Sequence, residues 1–290
     1  MDSNETDKRE REIEAEIKAA GNMPDEALDI ATLALAFADA DEPGRKREAY
    51  ETHLAEMVDA ARRAFAKASP AQLNDAEMLA TVLANIVSGR FAYRGDEAAY
   101  DDLKNADLMH VIDRRKGLPV ALGVLYLHIA QALGINLTGL SFPGHFVLHL
   151  QAGSQATIID PFNRGETLSP ADLLALLRRI EGPEATLTPD LYTPVSSRDI
   201  LLRLQNNILT RALAAEDYAR ARIVLTRMIW LAPRRTGLQF ELGRLEVHAG
   251  HMTAAVKIFE TCISCAHEEG EPQLAEMADK ALQRLKTRLN

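Results

Sequence analysis

Residues 117–134 decide the fold, and they read GLPVALGVLYLHIAQALG. This stretch contains no charged residue. Pro119 suits the first turn of a helix because its missing N–H group needs no partner there. Gly134 suits the position just after the last turn. A helix that is apolar on every side is buried, so we predict a central helix over residues 119–133.

Three strand-like runs follow this helix, over residues 136–141, 145–151 and 156–160. Pro-Gly and Gly-Ser pairs separate them, which favours an antiparallel meander. Apolar residues at helical spacing predict helices on both sides of this region, over residues 5–20, 25–39, 45–67, 75–87, 105–114 and 169–180. The fold class is therefore α+β: a helical N-terminal part, a core of one buried helix and an antiparallel sheet, and C-terminal helices.

The last hundred residues contain a repeat. Ala221 and Leu225 recur 34 positions later as Ala255 and Phe259. A period of 34 with small residues at matched positions resembles tetratricopeptide repeats. Because two repeats seldom stand alone, we expect them to pack onto the preceding domain. The predicted domains are an exposed N-terminal helix (1–24), the α+β core (25–194) and a tetratricopeptide-like tail (195–290).

Composition excludes several classes of protein. The net charge is −9, and the acidic excess lies in the first 110 residues, which argues against nucleic acid as a partner. Two cysteines exclude a disulfide scaffold and fit a reducing compartment. The charged N-terminus is unlike a signal peptide, and long apolar segments of membrane-spanning length are missing from the sequence. We expect a cytoplasmic protein that does not enter a membrane.

A buried helix that leads into an antiparallel sheet is the arrangement of papain-like and transglutaminase-like cores. In such cores, a nucleophile at the start of the helix is activated by the helix dipole, and a histidine and an aspartate lie on the following strands. The corresponding positions here are Pro119, His145 and Asp160. The histidine and aspartate suit these roles, but Pro119 offers no nucleophile and removes one N–H group from an oxyanion hole.

The motifs RKGLPV (115–120), PGHFVLH (143–149) and IDPFNRG (159–165) occur here in this order. With them, residues 25–265 resemble the SirB-type transglutaminase-like family, which commonly carries C-terminal tetratricopeptide repeats. The resemblance implies that His145 and Asp160 are the remnant of a catalytic triad. It also implies that the start of the helix is usually occupied as it is here, without a cysteine.

Three roles for His145 and Asp160 remain open. One is a structural hydrogen bond between strands, another is a pocket that binds a ligand or peptide, and the third is a hydrolase in which His145 activates water. For a pocket, we consider four ligand-binding candidates: Arg115, His149, Asn163 and Arg164. The leading interpretation is a noncatalytic module that binds a protein or peptide. A hydrolase or amide-processing enzyme with an unrecognised nucleophile is the alternative. The sequence leaves the oligomeric state open.

We predict no metal and no cofactor. His145 and His149 are four residues apart on a predicted strand, about 13 Å at roughly 3.3 Å per residue, which is too far for one ion. Cys262 and Cys265 form a CxxC motif, and upstream histidines would complete a zinc set. Because the motif falls inside a predicted repeat helix, we favour small buried side chains over zinc or redox chemistry.

Overall fold

The structure is a computed structural model, and it describes residues 3–289. The chain divides into two compact units. One contains the segment that ends at Ile13 together with Pro24–Leu204, and the other contains Glu14–Met23 and the segment that begins at Gln205. Two of the three divisions therefore fall inside helices, at residues 13/14 and 204/205, and the third falls at residues 23/24, just after the first helix.

The N-terminal part is helical, as the apolar spacing predicted. Its helices are α1 (Ser3–Gly21), α2 (Ile30–Asp41), α3 (Arg47–Phe65), α4 (Pro70–Leu73) and α5 (Ala76–Ala84). A π-helical segment, Asn85–Arg90, follows α5 directly. The exposed N-terminal helix is a prediction that needs correction. Although α1 is highly charged, Ile13, Ile17 and Ala20 are buried, because their spacing of three and four residues forms one apolar stripe.

The middle of the chain contains the predicted central helix. The elements here are β1 (Arg94–Gly95), α6 (Leu108–Arg114), β2 (Lys116–Gly117) and α7 (Pro119–Leu133). The bounds of α7 are those predicted from the sequence. Its residues from Pro119 to Leu127 are all buried, and Gly134 ends it in the left-handed conformation. The parallel pair β1–β2 is too short to be recognised from sequence.

The sheet next to α7 is antiparallel. Its strands are β3 (Asn136–Leu140), β4 (Val147–Ala152), β5 (Gln155–Asp160), β6 (Glu166–Leu168) and β7 (Pro194–Val195), in the order β6-β5-β4-β3-β7. The meander β3–β4–β5 was predicted, but β4 begins two residues later than expected. His145 therefore lies in the turn before β4, because Pro143 and Gly144 occupy that turn and pairing with β3 starts only at Val147.

Phe146 joins α7 to the sheet. Its ring fills the space left by two glycines, Gly123 on α7 and Gly139 on β3. A Cβ atom at Gly123 would lie 2.4 Å from the ring, and one at Gly139 would lie 2.6 Å from it. Helix α8 (Pro170–Glu181) is capped by Ser169 and packs with the sheet. Together they form an apolar cluster of Leu140, Phe142, Val147, Ile158, Leu173, Leu176, Leu177 and Leu191.

The C-terminal helices are α9 (Ser197–Ala214), α10 (Tyr218–Leu231), α11 (Thr236–His248), α12 (Met252–Glu268) and α13 (Pro272–Leu289). The repeated positions Ala221, Leu225, Ala255 and Phe259 are all buried. Gly243 on α11 lies against the ring of Phe259, where a Cβ atom would approach to 2.7 Å. The period of 34 therefore corresponds to equivalent packing positions in successive helix pairs.

Candidate functional site

In papain-like and transglutaminase-like cores, the nucleophile lies at the position that corresponds to the start of α7. Leu118 is the N-cap residue, in an extended conformation, and Pro119 occupies the first turn. The amide of Leu118 donates to the carbonyl oxygen of Asn105, which itself is fully buried. The residues at this helix start are therefore enclosed, and the position that corresponds to the nucleophile is occupied by the ring of Pro119.

His145 and Asp160 are in contact, as the structural and functional interpretations of this pair both require. His145 lies in the turn before β4 and Asp160 is the last residue of β5. The imidazole Nε2 lies 3.0 Å from Asp160 Oδ1. The side chain of His145 is 10% exposed and that of Asp160 is 1% exposed. The pair is thus almost entirely removed from solvent.

Asp160 accepts several further hydrogen bonds. Its Oδ1 accepts from the amides of Phe162 (2.9 Å) and Asn163 (3.3 Å), and its Oδ2 accepts from the Asn163 side-chain amide at 2.7 Å. Burial alone would raise the pKa of Asp160. The hydrogen bond and charge of His145 and the donors of Phe162 and Asn163 outweigh burial and lower this pKa below its usual value. The carboxylate is therefore held ionised.

The turn that contains His145 has aromatic and cationic neighbours. The ring of Phe162 meets it edge to face, with centroids 6.1 Å apart, and Tyr100 packs against Phe162 at 5.7 Å. The guanidinium of Arg203 donates to the main-chain carbonyl oxygen of His145 and lies 5.7 Å from the ring of Phe146. These contacts fix the turn that contains His145.

A pair of hydroxyl groups, from the buried Tyr126 and the half-buried Ser88, lies behind the turn that follows β5. The amide of Gly165 donates to the carbonyl oxygen of Asp160, and Gly165 has a left-handed φ of 78°. A Cβ atom at Gly165 would lie 2.4 Å from the Tyr126 hydroxyl. That hydroxyl lies 3.2 Å from Ser88 Oγ, on the π-helical segment, and burial raises the pKa of Tyr126 to about 12. Tyr126 and Ser88 thus support the turn as neutral groups.

A cleft of about 500 Å³ opens beside this turn, and we name it the turn cleft. Phe162 and Asn163, the two residues that contact His145 and Asp160, line it. Its charged lining residues are of both signs: Arg94, Lys116 and Arg164, with Asp96, Glu97 and Glu166. Arg94, Glu97 and Glu166 were not among the predicted site residues. Arg94 and Glu97 reach the turn only through the two-residue pair β1–β2, whereas Glu166 directly follows the motif IDPFNRG in the sequence.

The four predicted ligand-binding residues are separated in the structure. Asn163 and Arg164 line the turn cleft. His149 lies on β4, opposite Thr138 and Ile158. The side chain of Arg115 instead contacts His53 and Tyr93. The structure therefore brings only Asn163 and Arg164 together among the four candidates.

Arg115 takes part in a separate polar cluster. Its Nη1 lies 2.6 Å from His53 Nε2, and it also donates to the hydroxyl of Tyr93. The His53 ring nitrogen lies 2.8 Å from the same hydroxyl. Burial, with the charge of Arg115, lowers the pKa of His53. Arg115 has a left-handed φ of 57°, which directs this basic side chain toward α3.

The CxxC motif lies inside α12. Cys262 is fully buried, its Sγ lies 3.7 Å from the carbonyl oxygen of Thr236, and burial raises its pKa to about 11. His248 and His251, the potential additional zinc ligands, bond instead to Tyr218 and Glu246. The prediction of buried side chains is confirmed for Cys262 but not for Cys265, which is partly exposed. Within residues 3–289, no three His, Cys, Asp or Glu side chains are grouped as a metal site requires.

Among the helices of the described chain, none combines the length and the apolar character that a membrane-spanning segment requires. The most apolar one, α7, is fifteen residues long and is buried in the core.

Comparisons with known proteins agree with this architecture. A family model described as the transglutaminase-like superfamily matches residues 48–206, and one described as tetratricopeptide repeat matches residues 208–287. The UPF0162 protein of Xylella fastidiosa strain Temecula1 is 28% identical over 237 residues, which are 81% of this chain and 83% of that protein. No solved structure matches the chain.

Two further relatives match shorter regions. The UPF0162 protein of Vibrio cholerae is 38% identical over 132 residues, 45% of this chain and 48% of that protein. The F-box only protein 21 of Homo sapiens is 27% identical over 176 residues, 57% of this chain and 27% of that protein. The first family model covers more than half of the chain. The chain therefore belongs to the transglutaminase-like superfamily, as its resemblance to SirB-type proteins predicted, and joins that domain to C-terminal tetratricopeptide repeats.

Proposed function

We propose that this chain is a noncatalytic member of the superfamily that binds protein or peptide segments, with the repeats contributing to recognition. The repeat segment points to protein partners, because such helices present extended surfaces to partner segments. The single observation that carries the proposal is Pro119 in the first turn of α7. The proposal does not depend on any particular partner.

The chemistry of the first turn supports a noncatalytic role. Acyl transfer of the cysteine type needs a thiolate at the helix start and free N–H groups that stabilise an oxyanion. Pro119 supplies neither, and residues 111–136 contain no Ser, Thr or Cys. The two cysteines of the chain lie in α12, and the thiol of Cys262 is kept protonated by burial.

The state of His145 also supports binding rather than proton transfer. The side chain is 10% exposed and lies beneath Phe162, so a substrate has little access to the imidazole nitrogen that does not bond Asp160. A general base must reach the proton that it removes, at about 2.6–3.2 Å. The imidazole is placed instead to hold the turn after β5, which in turn forms one wall of the turn cleft.

Selection from a displayed library of random peptides, with the full chain as bait, tests this proposal. We expect enriched peptides whose synthetic versions bind the folded protein with dissociation constants in about the micromolar range, measured by fluorescence anisotropy. Scrambled peptides of the same composition are the control. Enriched peptides that bind no more tightly than their scrambled versions would contradict a peptide-binding function.

A hydrolase or amide-processing enzyme is the second candidate, and one observation favours it. The hydrogen-bonded pair of His145 and Asp160 has the geometry of an oriented base, at 3.0 Å, with the aspartate ionised. Such an enzyme would activate water, or use a nucleophile from outside α7. It predicts turnover of amide substrates that is lost in His145→Ala, which the binding proposal does not.

A further inference from the structure

We propose that the turn cleft binds a short zwitterionic ligand, a peptide of a few residues whose free carboxylate and free ammonium group both contact the protein. The inference rests on the proposed binding function and names the site and the ligand chemistry. A volume of about 500 Å³ falls within the range of small-ligand pockets, about 300–1,000 Å³.

The charges of the turn cleft separate into a group that is paired within the protein and a group that is exposed to solvent and unpaired within the described chain. Asp96 is 3% exposed and bonds to Arg114, and Lys116 lies 3.7 Å from its other carboxylate oxygen. Asp102 also lies 3.5 Å from Arg114, so Asp96 and Asp102 together balance the two basic side chains. By contrast, the side chains of Arg94, Arg164, Glu97 and Glu166 make no ion pair or hydrogen bond within residues 3–289.

This mixture of free charges selects the class of ligand. A guanidinium pairs with a carboxylate through two parallel hydrogen bonds, and a carboxylate accepts from an ammonium group. A purely anionic ligand would satisfy Arg94 and Arg164 but would approach Glu97 and Glu166. A purely cationic ligand would pair with Glu97 and Glu166 but would approach Arg94 and Arg164. A ligand that carries one charge of each sign satisfies both sets.

The turn cleft is also connected to the His145–Asp160 pair. Phe162 packs on Gly95, where a Cβ atom would lie 2.6 Å from the ring, and its ring meets the imidazole of His145. Asn163 donates from its side chain to Asp160 at 2.7 Å. A ligand that moves Phe162 or Asn163 changes the surroundings of the imidazole. Occupancy of the turn cleft is therefore reported at His145.

Three matched probes test the inference on the full chain: triglycine, N-acetyltriglycine and triglycinamide. They differ in whether the ammonium group, the carboxylate or both are charged. Binding is followed by amide and imidazole chemical shifts in NMR titrations. We expect triglycine to bind at least about fivefold more tightly than either blocked peptide, since each blocked end loses a charged hydrogen bond. We also expect triglycine to shift the imidazole nitrogen resonances of His145.

Two variants assign the charges. Arg164→Gln is expected to weaken triglycine and N-acetyltriglycine by about fivefold and leave triglycinamide unchanged. Glu166→Gln is expected to weaken triglycine and triglycinamide and leave N-acetyltriglycine unchanged. Arg179→Gln and Glu184→Gln, at exposed positions on α8 and just after it, are the matched controls and should bind all three probes as the wild type does.

Several results would overturn the inference: no binding of any probe, equal binding of all three, or wild-type binding by both turn-cleft variants. These outcomes are separable from failure of the proposed function. Selected peptides that bind tightly while triglycine fails would leave the binding function standing and remove the turn cleft from it. Amide turnover that depends on His145, combined with the expected triglycine pattern, would remove the noncatalytic role and leave the site.

Discussion

Helix α7 and the turn that follows β5 lie in the same unit and are built by opposite means. The helix is apolar on all sides, and its residues Pro119–Leu127 are buried without any charged group. The turn, residues 160–166, encloses a carboxylate that four donor groups hold in its ionised form. One region is stabilised by packing, and the other by hydrogen bonds to a buried charge.

This difference indicates which of the two regions offers groups that can contact a ligand. The start of α7 is closed by Leu118 and Pro119, so it offers packing surface rather than reactive groups. The turn exposes Asn163 and Arg164 to a cleft while it keeps Asp160 buried. The start of α7 is therefore apolar, whereas the turn carries polar groups that face a cleft.

The largest effect is expected from Leu125→Asp, which places a charge at the centre of α7. Leu125 is 0% exposed, and an unpaired buried charge destabilises by about 3–5 kcal/mol. Urea unfolding monitored by circular dichroism should show an unfolded or strongly destabilised chain. The control is Leu103→Asp, at a leucine 42% exposed, which should change stability by less than about 0.5 kcal/mol. Wild-type stability in Leu125→Asp would mean that α7 is not central.

Asp160→Asn tests the polar region. Because the pKa of Asp160 is lowered in the folded state, its carboxylate contributes stability above the usual pKa of about 3.9. That contribution is lost as the pH falls through the lowered value. We expect the variant to be less stable by about 1–3 kcal/mol at pH 7, and the difference to shrink below about pH 4.

Urea titrations of both proteins across this pH range measure the difference. Asp190→Asn, at an exposed carboxylate, is the control and should alter stability by less than about 0.5 kcal/mol at pH 7. A stability difference for Asp160→Asn that does not change with pH would show that the charge of Asp160 does not stabilise the turn.

Two helical glycines, Gly123 and Gly237, test how closely α7 packs against the sheet. Gly123→Ala places a Cβ atom 2.4 Å from Phe146, and overpacking should outweigh the gain in helix propensity, for a net loss of about 1–2 kcal/mol. Gly237→Ala on α11 meets no atom within 4 Å and should stabilise by up to about 1 kcal/mol. Thermal unfolding of the two variants gives the answer. The same sign of change in both would contradict close packing between α7 and the sheet.

The smallest effect is expected for Cys262, a buried group that, unlike Asp160, accepts no hydrogen bonds from the described residues that would stabilise its ionised form. Burial raises the pKa of Cys262 to about 11, whereas donors lower that of Asp160. Cys262 is fully buried and Cys265 is partly exposed. Iodoacetamide at pH 8 should therefore modify Cys265 at least about tenfold faster, because the thiolate is the nucleophile. Mass spectrometry of timed digests measures both rates, and equal rates would show that α12 opens readily.

The two regions also differ in how far the sequence predicted them. Apolar periodicity is local, so α7 was predicted with its bounds, and the repeat was found from Ala221 and Ala255. The contact of His145 with Asp160 followed from the order of strands and from the resemblance. The turn cleft could not be predicted, because β1 and β2 are two residues long and bring Arg94 and Glu97 to the turn through tertiary contacts.

Arg115 illustrates the same limit. Its place beside Lys116 in the sequence predicted a role in the pocket, yet the left-handed conformation at Arg115 turns its side chain toward His53 and Tyr93. The backbone conformation of a single residue thus determines which groups its basic side chain contacts. Charge patterning alone does not contain that information.

We propose that the pair of His145 and Asp160 supports binding and not catalysis. The most direct measurement is the rate of ammonia release and of amide-bond cleavage from glutamine-containing peptides, with the wild type and His145→Ala at equal concentration. Circular dichroism of both proteins confirms that they are folded. We predict that both rates equal the rate in buffer alone. A wild-type rate above buffer that falls to the buffer rate in the variant would contradict the account.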